Sequence, residues 1–316
     1  MRLILAFFRL VRWPNLVFIV LTQVLFYYAA IDPLRQKGIS STTINSWYFA
    51  WLVLASVLIA AAGYIINDYF DRNIDQVNKP GRMVVDKIIK RRWTIIFHIV
   101  FSLAGIAIGF YIDFHTKTFW LGMANLLCVL LLFAYSIALK KRLLIGNLLI
   151  SALTSWVIIV LFLCYYQSFT CAGCLPAELE THSRRLLKIA SLYAGFAFVI
   201  SLIREVVKDM EDMEGDARYD CKTMPIVWGI PVSKMFVAVW IVVLTGGCGV
   251  VEFYVLQFGW WWSVLYTVAL IIAPLAWVLW HLYKARTATD FHRLSTVIKF
   301  IMLTGILSML LLRFYS

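Results

Sequence analysis

Nine apolar stretches recur along this chain, each near the length at which a helix crosses a bilayer, about 20 residues. They fall at 13–31, 47–66, 94–112, 119–138, 143–165, 187–203, 235–253, 262–281 and 294–312. The last contains Lys299, close enough to one end for its ammonium to snorkel. Residues 253–280 carry no charge, so the boundary between the seventh and eighth stretches is set only to within several residues. With 62% hydrophobic residues, the composition excludes an ordinary water-soluble domain. No segment between stretches is long enough to fold by itself. The expected architecture is therefore all-α: a polytopic membrane protein with nine transmembrane helices, residues 1–316 forming one transmembrane domain. Arg2, Arg9 and Arg12 precede the first stretch without a small-residue cleavage site, so it reads as a retained span and not a signal peptide.

Basic residues orient the spans. They gather in segments 76–93, 139–142, 204–234 and 282–293, and nine alternating helices put all four on one side. That side is expected to be cytoplasmic, with the N-terminus inside, the C-terminus outside and a bacterial inner membrane as the location. The loops near 32–46, 113–118, 167–186 and 254–261 lie opposite and are poorer in net positive charge. The formal net charge of +12 then reflects cytoplasmic flanks and an anionic substrate, with no nucleic acid involved. No zinc-finger spacing, Walker loop or dinucleotide fingerprint is present, and no obligate protein partner is evident. Cys128, Cys164 and Cys248 lie in apolar runs and read as packing residues. Cys171 and Cys174 form a CxxC in an outer loop, where a local disulfide or a chance spacing is a better reading than a redox centre.

Two clusters hold 10 of the 17 Asp and Glu residues. The first contains Asn67, Asp68, Asp71 and Asp75 and follows the second span. The second runs from Glu205 through Asp209, Asp212 and Asp216 to Asp220 and follows the sixth. Both fall on the expected cytoplasmic side. A helix continued through Asn67, Asp71 and Asp75 places them on one face, with Asp68 one position round. Glu205, Asp209, Asp212 and Asp216 make a second helical stripe. Like charges on one face repel, and a divalent cation compensates them. Oxygen ligands without His or Cys suit Mg²⁺, which keeps water and is completed by substrate phosphates. Two carboxylate walls, with Lys140, Arg204, Lys208, Lys222 and Arg82 as counter-charges, suit a diphosphate. A polar head and a membrane-soluble tail make an isoprenoid diphosphate the expected donor. Metal ions would stabilise the leaving diphosphate, and aromatic faces such as Tyr64, Tyr69, Phe70 and Tyr135 an allylic cation. A cation-coupled transporter is the rival class, but it prefers charges near the midplane instead of at helix ends. Helix, acidic end and basic loop occur twice, about 140 residues apart, as a faint internal symmetry.

These residues resemble the UbiA family of intramembrane prenyltransferases. The resemblance rests on Asn67-Asp68-x-x-Asp71-x-x-x-Asp75, on Asn78-Lys79-Pro80-Gly81-Arg82, and on Lys208-Asp209 through Asp212 to Asp216. Tyr135-Ser136 with Lys140, Lys222-Thr223-Met224-Pro225-Ile226 and Arg12-Trp13-Pro14-Asn15 add to it. The resemblance implies nine helices around a central cavity and Mg²⁺-dependent transfer of a prenyl group with release of diphosphate. It implies that Asn67, Asp68, Asp71 and Asp75 carry metal and diphosphate, and that Asp212 and Asp216, with Asp209 and Glu205, form the second metal wall. Tyr135 and Lys140 would sit near the diphosphate and the allylic carbon, while Arg82 and Lys222 would grip phosphate oxygens. Glu205 stands where many relatives have Asp. The segment 204–212 looks most like the branch that attaches geranylgeranyl, from geranylgeranyl diphosphate, to geranylgeranylglyceryl phosphate. An aromatic acceptor of quinone biosynthesis, such as hydroxybenzoate, homogentisate or dihydroxynaphthoate, is the alternative. No residue stands out as the base that takes the acceptor proton.

Overall fold

The computed structural model describes residues 2–36, 39–41, 45–78, 81, 83–167, 169–171 and 176–315. Thirteen helices suffice to place the site. They are α1 (Arg2–Leu10), α2 (Trp13–Gln36), α3 (Ser46–Phe70), α4 (Arg72–Asn78), α5 (Arg91–Thr116), α6 (Leu121–Ile137) and α7 (Ile145–Gln167). The remainder are α8 (Pro176–Glu211), α9 (Met213–Arg218), α10 (Met224–Val227), α11 (Gly229–Leu256), α12 (Trp261–Lys284) and α13 (Ala288–Phe314). Among the described residues eight of these are long and apolar enough to cross a membrane, and α6 is a shorter apolar helix of 17 residues. The chain is thus an all-α integral membrane protein. Helices overrun the apolar stretches where polar residues continue the helical backbone: α8 has 36 residues, well beyond 187–203. The uncharged boundary falls at Gly259, whose φ of +74° turns the chain between α11 and α12. Only glycine takes that left-handed turn without strain.

The chain divides into two compact units, each assembled from three segments. The first comprises Met1–Val24, Leu34–Lys140 and Val157–Leu187. Its helices α3, α5 and α6 pack through glycines, as expected where small residues let membrane helices approach. A Cβ on Gly105 would meet Ile59 at 2.6 Å, and one on Gly122 would meet the Phe110 ring at 2.4 Å. At the same seam the buried Asp113 carboxylate accepts the backbone N–H groups of Leu121 at 3.1 Å and Gly122 at 2.7 Å, and the Thr118 hydroxyl. It therefore caps α6, satisfying donors that a helix start leaves open. Gln23, fully buried, donates to the Ser56 hydroxyl and the Val157 carbonyl. Two short strands, β1 (Ile39–Ser41) and β2 (Phe169–Cys171), pair antiparallel with Ile39 opposite Cys171. Helix α1 was not expected. It buries Ala6 and Leu10 against Ala61 and Ile65 of α3 and against Val84, Val85 and Ile89 of the following loop. That contact brings Arg12, at the end of α1, to the end of α3.

The second unit comprises Leu25–Pro33, Lys141–Trp156 and Lys188–Ser316. The end of α8 buries Ile203, Val206, Val207 and Met210, spaced as one helical face, against α11, α12 and α13. The acidic residues occupy its other faces. Helix α12 contains a π-turn at Val268–Ile272, directly before Pro274. Proline cannot donate to the carbonyl four residues back, and here that carbonyl, of Leu270, accepts the Thr304 hydroxyl of α13 at 2.9 Å. Cys128, Cys164 and Cys221 are buried free thiols and Cys248 is half-buried and free. The CxxC reading falls on Cys174 and the Cys171 side chain, which lie outside the described residues.

Candidate functional site

In the first unit, the sequence at the end of α3 does not continue as one helix. The helix stops at Phe70, Asp71 has φ −81° and ψ −2°, and α4 resumes at Arg72. The bend still keeps the helical hydrogen bonds across it: Asp71 N–H to the Asn67 carbonyl at 2.9 Å and Asp75 N–H to the Asp71 carbonyl at 2.8 Å. The expected uninterrupted stripe is thereby corrected to a bent one. Clustered like charge weakens a helix, and here the Asn67 amide donates to the Asp71 carboxylate at 2.7 Å. Lys140, following α6, donates to the other Asp71 oxygen, Oδ1, at 2.5 Å and to the side-chain Oδ1 of Asn67 at 3.3 Å. Asn67, Asp71 and Lys140 therefore form one closed set.

Asp68 is held separately. Its carboxylate accepts from the Arg12 guanidinium at 2.7 Å, and the guanidinium also lies 5.2 Å from the centre of the Tyr64 ring. Burial disfavours the Arg12 charge, yet the contact with Asp68 more than offsets that and holds the guanidinium above its ordinary pKa. Arg12 has a φ of 51°, a strained value for a residue with a Cβ, at the sharp join of α1 and α2. The sequence marked Arg12 as a flanking charge and as the start of Arg12-Trp13-Pro14-Asn15, and gave it no role in the site. Its position directly ahead of the first span was the available signal. The loop after α4 is also tied back, by Arg72 to Asp86 at 3.0 Å and by Arg91 over the Tyr69 ring at 4.5 Å.

The second unit repeats the pattern 141 residues later. Helix α8 stops at Glu211, Asp212 has φ −92° and ψ 5°, and α9 begins at Met213. Asp212 N–H bonds the Lys208 carbonyl at 2.9 Å, and Asp216 N–H bonds the Asp212 carbonyl at 3.2 Å. Lys208, Asp212 and Asp216 thus match Asn67, Asp71 and Asp75 in backbone geometry, and the continuous second stripe is corrected in the same way. Glu205 pairs with Arg204 at 2.8 Å and lies 4.0 Å from Lys208. Asp209 accepts from the Asn147 amide of α7 at 2.8 Å. Asn147, 8% exposed, was missed by sequence reasoning, because nothing local marks a contact across 62 residues.

The structure therefore joins Asn67, Asp71 and Lys140, pairs Asp68 with Arg12, and joins Arg204, Glu205 and Lys208. Tyr135 is half-buried on the last turns of α6, and Lys222 is exposed beyond α9, its backbone N–H bonded to the Lys141 carbonyl at 2.8 Å. Arg82 lies outside the described residues. Glu211, which was not expected to matter, pairs with His292 of α13 at 2.8 Å. Among the described residues no three Asp, Glu, His or Cys side chains gather closely enough to cage a metal. The donor chemistry fits Mg²⁺ all the same: both motifs offer carboxylate oxygens and the first adds the Asn67 amide oxygen, and Mg²⁺ is typically held by one or two carboxylates with water and phosphate completing its shell.

Comparison with known proteins places these motifs in context. The model of the UbiA prenyltransferase family matches residues 34–304. A digeranylgeranylglyceryl phosphate synthase from Methanosphaera stadtmanae is 28% identical over 271 residues, covering 84% of this chain and 89% of its own. One from Methanopyrus kandleri is 30% identical over 263 residues, covering 81% of this chain and 84% of its own. Among solved structures, one described as a digeranylgeranylglyceryl phosphate synthase in membranes superposes with a TM-score of 0.61 at 20% identity, over 98% of this chain and 99% of that one. A UbiA homologue from Archaeoglobus fulgidus bound to DMAPP and Mg²⁺ superposes with a TM-score of 0.55 at 14% identity, over 96% and 98%. At these identities the solved structures show a shared fold.

Proposed function

Because this chain belongs to the UbiA prenyltransferase family, we propose that it transfers a geranylgeranyl group from geranylgeranyl diphosphate to the free hydroxyl of geranylgeranylglyceryl phosphate, with Mg²⁺ and release of diphosphate. The observation that carries the reading is the duplicated bend: one Asp at each break, Asp71 and Asp212, at the end of an apolar helix, with Lys140 and Lys208 beside the motifs. A pair of such motifs suits a charged diphosphate head on an apolar tail. The named activity of the relatives supports this donor and acceptor.

Mg²⁺, when bound, supplies charge that stabilises the departing diphosphate. Asn67, Asp68, Asp71 and Asp75 would hold it in the first motif, and Glu205, Asp209, Asp212 and Asp216 in the second. Lys140 and Arg204 neutralise the remaining phosphate charge, joined by Lys208, Lys222 and Arg82. The Asn67 amide fixes the rotamer of Asp71, and Arg12 that of Asp68, so these carboxylates are oriented before substrate arrives. Tyr135 would offer an aromatic face to developing positive charge at the allylic carbon.

Nine crossings by one transmembrane domain complete the proposal. The β1–β2 pairing supports them, because it requires strands β1 and β2 to lie at the same end of the first unit. Apart from the seven-residue α4, four helices separate those strands, and three, α3, α5 and α7, are long enough to span. An even number of crossings then makes α6 the fourth, although 17 residues give only about 26 Å of helix. The basic segments put both acidic motifs and the N-terminus at the cytoplasmic face.

The test is a transfer assay in membranes containing the protein, with labelled geranylgeranyl diphosphate and Mg²⁺. Geranylgeranylglyceryl phosphate competes against hydroxybenzoate, homogentisate and dihydroxynaphthoate, and products are read by mass spectrometry. A digeranylgeranyl ether supports the proposal. An alkylated ring keeps the family activity and replaces the acceptor.

A further inference from the structure

Helices α7 and α8 meet in the second unit along a polar seam. The Ser155 hydroxyl donates to the Ala194 carbonyl at 2.7 Å, and the Thr154 and Ser201 hydroxyls lie 3.3 Å apart. Asn147, Ser151, Thr154 and Ser155 share one face of α7, with Ser151 bonded back to the Asn147 carbonyl at 2.7 Å. Asn147 stands at the end of that seam, in the first turn of α7, and its amide nitrogen donates to Asp209 Oδ2 at 2.8 Å.

A seam needs no amide to hold it. Ser155 and Thr154 already fix the register of α7 on α8, and buried Val206, Val207 and Met210 anchor the same turns of α8. What Asn147 adds is specific to Asp209. An amide NH₂ can only donate and a carboxylate can only accept, so the contact selects one rotamer of Asp209. It also occupies Oδ2, leaving Oδ1 as the oxygen that faces elsewhere. We infer that Asn147 is a positioning residue: it holds Asp209 as a one-oxygen ligand for the second acidic motif. The inference rests on the reading above that this motif takes Mg²⁺. Outer partners that orient a metal ligand typically affect metal affinity by about 10–100-fold.

The test uses Mn²⁺ as the probe, titrated by electron paramagnetic resonance into the purified full chain with inorganic diphosphate present, alongside thermal melting. Asn147→Ala is expected to weaken Mn²⁺ binding by about 10–100-fold and to lower the melting transition while leaving the chain folded, since the Ser155 and Thr154 contacts remain. Asn147→Gln, which keeps the amide, recovers part of the loss. The exchange Asn147→Asp with Asp209→Asn restores a donor–acceptor pair but moves the carboxylate onto α7. It is expected to melt like the parent and still bind Mn²⁺ weakly. Unchanged affinity in Asn147→Ala overturns the inference. So does an unfolded Asn147→Ala whose stability and Mn²⁺ affinity are both repaired by the exchange, because Asn147 is then a structural contact. Asp212→Asn separates the two readings: if it binds Mn²⁺ as the parent does, the motif itself is not the metal site.

Discussion

Replacing Lys140 by Met keeps the apolar stem and removes the ammonium that reaches Asp71 and Asn67. The pair is well shielded, with the Lys140 side chain 11% exposed and Asp71 17%. Exposed ion pairs contribute about 0–1 kcal/mol, whereas a hydrogen bond to a charged group away from solvent contributes about 1.5–3 kcal/mol. The 2.5 Å contact and its shielding place this pair in the second class. Asp71 keeps the Asn67 amide when Lys140 is lost, which argues for the middle of that range, about 2 kcal/mol. The assay is a double-mutant cycle of Lys140→Met and Asp71→Asn, read by transfer rate in membranes and by melting in detergent. Each single variant is expected to lower kcat by about 10²–10³, the typical loss on removing one group that stabilises developing charge. The double variant should fall little further, because groups acting as a unit are not additive. Multiplied losses, or a stability coupling below about 0.5 kcal/mol, would refute the reasoning.

Other outcomes follow from the same contacts. Chelation of divalent ions should abolish transfer, and added Mg²⁺ should restore it without refolding. Asp113→Ala strips the acceptor from two backbone N–H groups and the Thr118 hydroxyl at the start of α6. At about 1–3 kcal/mol for each group left unsatisfied, melting should fall steeply, and a variant that melts like the parent would show that α6 is capped otherwise. Arg12→Met should raise the Mg²⁺ concentration needed for half-maximal activity more than it lowers kcat, since Arg12 orients Asp68 and does not meet the allylic carbon.

The spans were legible because hydrocarbon imposes length and composition together. Each apolar stretch became a helix, and both acidic motifs lay at helix ends as read. The breaks at Asp71 and Asp212 were not legible, since neither Pro nor Gly marks them and the bend keeps the helical hydrogen bonds. Only the match between the two breaks, 141 residues apart, gives substance to the faint repeat. Arg12–Asp68 and Asn147–Asp209 were hidden for another reason. They join residues 56 and 62 apart, and such pairing is decided by tertiary packing. Helix α1 illustrates this: its buried Ala6 and Leu10 dock on α3, and only that docking turns a flanking arginine into a site residue.

The most direct measurement compares prenyl transfer by Asp71→Asn and Asp212→Asn with the parent, at matched folded protein in membranes and saturating Mg²⁺. If two equivalent acidic bends carry the chemistry, both variants lose at least about 10² in turnover while remaining folded. Parental turnover in either variant would contradict that account, because one of the two motifs would then be a solvated helix end.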